Sequence, residues 1–148
     1  MMQQQFQANN LKIIFQNING WLGKKDTLTP ILQNLNPDII CMAHTNIHPP
    51  HSPIKIHPYI TYDCNTVGLY SGVAILIKKD ILHSPVNRAF FGDTVAIKVE
   101  TTMGPIIIAC NYSPPARPYL PFPDIMWLAR HRTPYILVSR LQCPSHLI

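Results

Sequence analysis

Charged residues are scarce in this sequence, and acidic ones scarcest of all. They make up 13% of the 148 residues, with seven aspartates and glutamates against twelve lysines and arginines. Hydrophobic residues reach 47%, which excludes a disordered polar chain and is enough for one domain. The net charge of +5 is compatible with a polyanionic partner such as nucleic acid. The basic residues are scattered, however, and charge alone favours ordinary solvated faces.

The sequence also lacks the pattern of a secretory leader and any apolar run long enough to cross a bilayer. Its first ten residues, MMQQQFQANN, are polar, whereas a membrane-spanning helix needs about 20 apolar residues. The four cysteines show no C-x-x-C spacing. Cys41 and Cys110 lie in apolar runs, where a reduced thiol acts as a small core residue. We therefore expect an intracellular protein, nuclear or cytoplasmic, with no membrane partner.

Proline, by contrast, is abundant, and its 15 residues favour loops and short elements over a helical bundle. The apolar run LKIIFQN, residues 11–17, predicts a strand, and a second one is predicted over residues 38–42. Between them a helix is predicted, capped by Asp26 or Thr29, with Pro30 in its first turn. This order of elements predicts a right-handed βαβ unit. The helix's apolar face should consist of Leu28, Ile31, Leu32 and Leu35.

From residue 59 onward the pattern changes to short strands. The predicted strands are YITY, GVAILIK, DTVAIKVE, GPIIIACNY and YILV. The turn TTMG predicts an antiparallel hairpin between the third and fourth of them. A short helix is predicted over residues 124–131, with Ile125, Trp127 and Leu128 toward the core. Nearly continuous apolar strands, YILV among them, indicate buried strands in sheets covered on both faces.

Five stretches along the chain resemble the endonuclease/exonuclease/phosphatase superfamily, and within it the endonuclease of LINE-type (non-LTR) retrotransposons. They are LKIIFQNINGW, LNPDIICMAHT, SGVAILIKK, DTVAIKVETTMGPIIIACNYSPP and TPYILV, in this order between Leu11 and Val138. The resemblance implies an α/β fold, an incomplete four-layer α/β sandwich in which helices flank two facing mixed β-sheets. It divides the chain into a polar N-terminal tail, residues 1–10, a partial domain, residues 11–138, and an aberrant C-terminal tail, residues 139–148.

The same resemblance implies a Mg²⁺-dependent phosphodiesterase that nicks DNA. Such a site needs a carboxylate to hold the metal and an aspartate to deprotonate water. Asn17 matches the family's metal-site asparagine, and Tyr112 matches the tyrosine that contacts the scissile phosphate. Taken alone, Asn17 would more often be a turn residue and Tyr112 a strand-end aromatic. Their places in the family pattern reverse that preference.

Two positions depart from the family pattern. Where the family has Gln-Glu-Thr, this chain has Ala-His-Thr, so His44 replaces the main metal-binding carboxylate. Mg²⁺ prefers oxygen ligands, so an imidazole is a poor substitute. After the YILV strand the family has Gly-Asp-Phe-Asn, in which the aspartate is the general base, whereas this chain continues Ser-Arg-Leu-Gln. Arg140 at that position cannot accept a proton from water.

A shift of reading frame would explain the second departure. Residues 140–146 can be encoded by codons that, read one base later, spell Asp-Phe-Asn-Ala-His-His. We hypothesise that the last residues are translated out of frame. Different codons at Arg140, Gln142 or Ser145 in the nucleotide sequence would contradict this hypothesis.

Three nearby histidines, His44, His48 and His51, also invite a zinc interpretation. Their spacing matches no standard site, which favours a polar, proline-rich loop and no metal site.

The sequence therefore favours a truncated, degenerate remnant of a DNA-nicking endonuclease, in which Asn17 and Tyr112 are vestigial. Mg²⁺ is the cofactor that the resemblance implies, and we expect it not to bind. No small-molecule cofactor is expected, and the oligomeric state is left open. One alternative is a non-catalytic protein that binds DNA. Another is an interaction module that uses the proline-rich loops PHSPIKIHP and SPPARPYLPFP. Uncovered apolar faces and an open sheet edge should promote aggregation.

Overall fold

The computed structural model describes residues 4–47, 53–64, 72–88, 90, 93–113 and 122–141. Within these ranges the chain forms eight strands and two helices. In chain order they are β1 (Ile13–Asn17), α1 (Lys25–Leu35), β2 (Ile39–Ala43), β3 (Tyr59–Cys64), β4 (Val73–Lys78), β5 (His83–Pro85), β6 (Asp93–Thr101), β7 (Gly104–Ser113), α2 (Phe122–Arg130) and β8 (Tyr135–Leu141).

The first sheet has the strand order β1-β2-β4-β3. Strands β1 and β2 are parallel, with Asn17 opposite Ala43, and the helix α1 connects them. The predicted strand, helix and strand unit is therefore confirmed. Strand β4 is antiparallel to both of its neighbours. Every residue of β2 is buried, because this central strand is covered on both faces.

The second sheet has the strand order β5-β6-β7-β8. Strands β6 and β7 form the predicted antiparallel hairpin, and Gly104 in its turn has a φ of 112°, a conformation that favours glycine. Strand β8 is parallel to β7 and lies at the edge of the sheet. The short strand β5, at the other edge, was not predicted from the sequence.

The two sheets face each other across the main core. This core contains buried side chains from both sheets, among them Cys41 and Ile75 from the first and Ile97, Ile108 and Cys110 from the second. A hydrogen bond with Cys41 and burial raise the pKa of the Cys110 thiol, and both cysteines are free, as expected for core thiols. Side chains of α1 and α2 pack on the outer faces of the first and second sheet. Two facing mixed sheets with helices outside them confirm the predicted fold class.

Helix α1 begins earlier than the sequence suggested. The carbonyl of Lys24 accepts hydrogen bonds from the N–H groups of Thr27 and Leu28, and Lys24 is the N-cap residue instead of Asp26 or Thr29. Pro30 consequently lies inside the helix and not in its first turn. The predicted apolar face was also wrong in part: Leu32 is buried and Leu28 is packed beside it, whereas Ile31 and Leu35 are 49% and 45% exposed.

Residues near both ends of the described chain make contacts with the strands. Phe6 and Ala8, in the expected N-terminal tail, form bridges with Ile81 and Thr101, and Ala8 is buried. Strand β8 continues to Leu141, three residues beyond the expected end of the domain at residue 138. The division into tails and domain stays a prediction.

Strand β8 is not the buried strand that its apolar residues suggested. Tyr135 and Ile136 are 38% and 41% exposed. The physical reason is its place at the sheet edge, where, among the described residues, only β7 pairs with it. No helix in the described part of the chain is long and apolar enough to cross a membrane.

Candidate functional site

Two of the sequence motifs meet at one end of the sandwich. Asn17 ends β1 beside Ala43, and His44 follows β2 at the next position. The imidazole of His44 stacks on the phenol ring of Tyr112 from β7, with 5.2 Å between ring centroids and 12° between the ring planes. The structure therefore brings the substituted position His44 against the expected active-site residue Tyr112, and places Asn17 on the neighbouring strand.

The backbone around His44 leaves the strand in a conformation that few residues adopt. His44 and Asn46 have φ angles of 58° and 55°, in the left-handed region that asparagine and histidine tolerate better than most side chains. The N–H of Gly20 donates to the carbonyl of His44 over 2.9 Å, and the N–H of Thr45 donates to the carbonyl of Gly72 over 3.2 Å. These contacts hold the His44 ring at the strand end, where it is 7% exposed.

The surroundings of His44 favour the neutral form of its imidazole ring. Burial lowers the pKa of His44, and the positive charge of Lys24 lowers it further. The ammonium of Lys24 itself donates a 2.7 Å hydrogen bond to the carbonyl of Ile18. His44 at neutral pH is therefore an uncharged ring, with none of the negative charge that a glutamate would bring to this position.

Sequence reasoning missed one buried acid of the site, Asp93. Its Oδ2 accepts a 3.2 Å hydrogen bond from the N–H of Gly72, and its side chain is 6% exposed. Asp93 pairs directly with Tyr112 across the hairpin. A signal for it was present in the sequence. Once Thr101 is paired with Gly104 across the turn, counting back along both strands places Asp93 opposite Tyr112.

A buried hydrogen-bond network behind Tyr112 centres on Asn111. The Nδ2 group of Asn111 donates to the carbonyl of Asp93 over 3.0 Å and to Oγ1 of Thr94 over 2.9 Å. Its Oδ1 accepts from the hydroxyls of Ser113 and Ser139 over 3.3 and 3.0 Å. One amide thus links β6, β7 and β8 at the strand ends, and this network fixes the backbone on which Tyr112 is mounted.

Helix α2 joins the same network through a second buried acid. The hydroxyl of Thr94 donates to Oδ2 of Asp124 over 3.2 Å, and Asp124 is 1% exposed. Because Asp124 lies in the first turn of α2, this bond fixes the start of the helix against β6.

Arg140, which the resemblance places at the general-base position, lies beside the same tyrosine. Arg140 on β8 pairs with Tyr112 on β7 in the parallel register. The correspondence of Arg140 to the family's aspartate stays a prediction. His48, His51, Gln142 and Ser145 lie outside the described residues, as do residues 114–121 of the second proline-rich loop.

The donor atoms at this end of the sandwich fit Mg²⁺ poorly. Oδ1 of Asn17 is buried without a hydrogen-bond partner, and an amide oxygen of this kind suits a magnesium ion. The position beside it is the nitrogen-bearing ring of His44. Within the described ranges, no three His, Cys, Asp or Glu side chains are grouped so that they could hold a metal ion. Oδ1 of Asp93 is also buried at this site without a hydrogen-bond partner among the described residues. One amide oxygen and one carboxylate oxygen beside an imidazole are not the oxygen-rich set that Mg²⁺ requires.

Structural comparison identifies proteins with the same fold. TDP2 from C. elegans superposes with a TM-score of 0.59 at 14% identity, over 93% of this chain and 49% of that one. An AP endonuclease from Archaeoglobus fulgidus gives a TM-score of 0.51 at 22% identity, over 82% and 49% of the two chains. The human nocturnin catalytic domain gives 0.63 at 14% identity, over 91% and 65%. The chain thus spans about half to two thirds of the length of these proteins.

Sequence comparison agrees with this fold. A search of curated proteins finds no match. The model of the Endonuclease/Exonuclease/phosphatase family matches residues 14–142, which include Asn17, His44, Tyr112 and Arg140. The chain therefore belongs to the endonuclease/exonuclease/phosphatase family.

Proposed function

We propose that this chain is a remnant of a Mg²⁺-dependent DNA-nicking endonuclease domain from a non-LTR retrotransposon, and that it no longer cuts DNA. Membership of a family related to nucleases and phosphodiesterases supports the ancestry. The five ordered stretches that resemble retrotransposon endonucleases support the narrower origin.

The proposed loss of activity rests mainly on one observation, the stacking of the His44 ring on Tyr112. A tyrosine that contacts a scissile phosphate needs an open approach to its hydroxyl. Tyr112 is 1% exposed, and the ring of His44 covers one of its faces. The position that should supply a metal-binding carboxylate instead supplies a neutral ring in contact with the phenol. Substrate access and metal binding are therefore both impaired by the same residue.

Arg140 removes a second requirement of the reaction. A general base must accept a proton from the attacking water, and the guanidinium of arginine has no acceptor atom. Asp93 is a carboxylate beside Tyr112 in register, but it is 6% exposed and accepts a hydrogen bond from Gly72. Because groups that act as a unit fail together, the remaining Asn17 and Tyr112 should not sustain measurable nicking.

A plasmid-nicking assay tests the proposal directly. The purified chain is incubated with supercoiled plasmid and Mg²⁺, beside Tyr112→Phe, which keeps the ring and removes the hydroxyl. We expect no open-circular product above the buffer control from either protein. Mg²⁺-dependent nicking by the wild type that Tyr112→Phe abolishes would show that the site is active and that the proposal is wrong.

Metal binding gives a second, independent test. Isothermal titration with Mg²⁺ should show no binding heat for the wild type, while His44→Glu should bind measurably because it restores an oxygen ligand beside Asn17. Equal Mg²⁺ affinity in the two proteins would contradict the role assigned to His44. The retrotransposon origin has its own test, since a downstream reading frame for a reverse transcriptase is expected in the surrounding nucleotide sequence.

A further inference from the structure

The outer face of the second sheet carries a cluster of aromatic and cationic side chains that the candidate site does not use. The guanidinium of Arg88 lies 4.8 Å from the ring centre of Trp127 and 5.6 Å from that of Phe90. The ring of His131 lies 4.1 Å from Trp127, measured between centroids. Phe90 meets Trp127 edge to face at 5.8 Å. We call Arg88, Phe90, Trp127 and His131 the stacked cluster.

Two further arginines extend the positive charge of this surface. Arg130 and Arg132 flank His131 at the end of α2, and both are exposed. The acidic residue of α2, Asp124, is 1% exposed and bonded to Thr94. Among the ion pairs seen between described residues, none involves Arg88, Arg130 or Arg132. These three arginines give the surface its positive charge, and one carboxylate, Asp63 of β3, lines the cleft beside Arg88.

The stacked cluster also borders a cleft. A cavity of about 530 Å³ is lined by Arg88 and Phe90 on one side and by Tyr62, Asp63 and Cys64 of β3 on the other. A space of this size admits a flat heterocycle, since ligand pockets commonly measure about 300–1,000 Å³. Flat rings, a planar guanidinium and an adjoining cleft occur together here.

This surface is separate from the candidate site. Trp127 packs with Ala96, Ile107 and Ala109, whose side chains lie on the outer face of the second sheet. Tyr112 belongs to the core between the two sheets, on the inner face. A ligand on the outer side of the stacked cluster would therefore be separated from His44 and Tyr112 by the sheet, whereas the adjoining cleft reaches Thr94 and Val95 of β6.

We propose that the stacked cluster, with Arg130 and Arg132, binds single-stranded nucleic acid. Exposed arginines supply contacts to phosphates, and bases stack on flat surfaces such as the guanidinium of Arg88 and the ring of Phe90. Trp127 holds Arg88 and His131 in place, so less side-chain entropy is lost on binding. In a duplex the base faces are already stacked on one another, and a run of aspartate and glutamate residues has no ring to stack. The combination of rings and positive charge thus favours the single strand.

The proposal does not rest on the proposed function, because it needs neither the ancestry nor the fate of the catalytic groups. Its test measures fluorescence anisotropy of a labelled oligo(dT) 12-mer with the full chain. The variant Arg130→Gln/Arg132→Gln removes two charges from the patch. The control Lys25→Gln/Lys55→Gln removes two charges from exposed lysines near α1. Circular dichroism verifies that all variants are folded.

We expect the arginine variant to bind oligo(dT) about tenfold or more weakly than the wild type, and the control less than about threefold more weakly. The slope of log K against log salt should decrease by about 1.4 in the arginine variant, or about 0.7 for each lost phosphate contact to a single strand. Equal losses in the two variants would mean that net charge alone attracts the oligonucleotide, and would overturn the proposal.

A third variant separates stacking from charge. Arg88→Lys retains the positive charge but loses the planar guanidinium, and should weaken oligo(dT) binding severalfold. Unchanged affinity would overturn the stacking role of Arg88. Duplex DNA of the same length that binds as tightly as oligo(dT), or poly-glutamate that displaces oligo(dT) at equal charge concentration, would overturn the preference for a single strand.

Discussion

Ser139 donates a 3.0 Å hydrogen bond to Oδ1 of Asn111, and this contact attaches the edge strand β8 to the polar network at the strand ends. The same oxygen accepts from Ser113, while the amide nitrogen of Asn111 serves Asp93 and Thr94 on β6. Asn111, the residue directly before Tyr112, thus connects the strands β6, β7 and β8. The position of Tyr112 depends on these bonds as much as on its own packing.

Replacement of Asn111 by alanine should therefore destabilise the fold strongly. Asn111→Ala removes the amide that bonds the carbonyl of Asp93 and the hydroxyls of Thr94, Ser113 and Ser139. A buried group left unsatisfied costs about 1–3 kcal/mol. We expect a loss of about 3 kcal/mol in the free energy of unfolding, measured by urea denaturation. Asn87→Ala, at an exposed asparagine, should change it by less than about 0.5 kcal/mol. Similar losses in both variants would contradict the network.

The stability of the protein should fall as the pH drops below about 6.5, in part because of His44. Burial and the charge of Lys24 lower the pKa of His44 in the folded state below its ordinary value of 6.5. The unfolded chain then binds more protons than the folded one below that pH, so the contribution of neutral His44 is complete above pH 6.5 and is lost as the pH falls toward the lowered pKa.

Urea midpoints between pH 7.5 and 5, measured with EDTA, provide the test. His44→Asn keeps a residue that tolerates the left-handed backbone and removes the titrating ring. Between pH 7.5 and 5, the stability of this variant should fall less than that of the wild type. Its stability at pH 7.5 should be lower, because the stacking on Tyr112 is lost. Lys24→Gln should retain most of the fall, because burial is the larger cause of the shift. If the stability of the wild type and of His44→Asn falls equally with pH, His44 is not a cause of the pH dependence.

The exposed edge strand should govern aggregation. Ile136 is 41% exposed on β8, whose outer edge has no partner strand among the described residues. A charge on an edge strand opposes pairing with another chain. We expect Ile136→Lys to lower aggregation of the concentrated protein several-fold, measured by light scattering. Ile31→Lys is the matched control, since Ile31 is 49% exposed on α1, away from any strand edge. If both variants lower aggregation equally, the exposed edge of β8 is not the cause of aggregation.

Local patterns in the sequence predicted most of the sheet structure. Strand β2 follows from a short apolar run, and the hairpin of β6 and β7 follows from two such runs joined by a turn, so that its two strands are neighbours in sequence. The same hairpin places Asp93 opposite Tyr112, a relationship that counting from Thr101 and Gly104 would have found. Asn17 and Tyr112 were found because they end strands in the family pattern, and the structure places them at the same end of the sandwich.

Long-range packing determined which side chains are exposed, and the sequence alone did not predict this. The face of α1 depends on where the turn after Trp21 lets the helix begin, so Ile31 and Leu35 proved exposed although their spacing is that of a core face. Strand β8 looks apolar in sequence, yet its exposure depends on which strands pair with it. The network around Asn111 joins residues from three strands and could not be read from any one of them.

The sequence alone determined most of the strands along the chain, the family pattern, and the residue types His44 and Arg140 at positions where the resemblance predicts catalytic side chains, because these are matters of local pattern and residue type. Only the tertiary structure decided that His44 stacks on a buried Tyr112, and that Arg88 and His131 both contact Trp127 on the opposite face of the sheet. The physical reason is that such contacts join residues between 4 and 68 positions apart, and the packing of two sheets and a helix sets the distance between them.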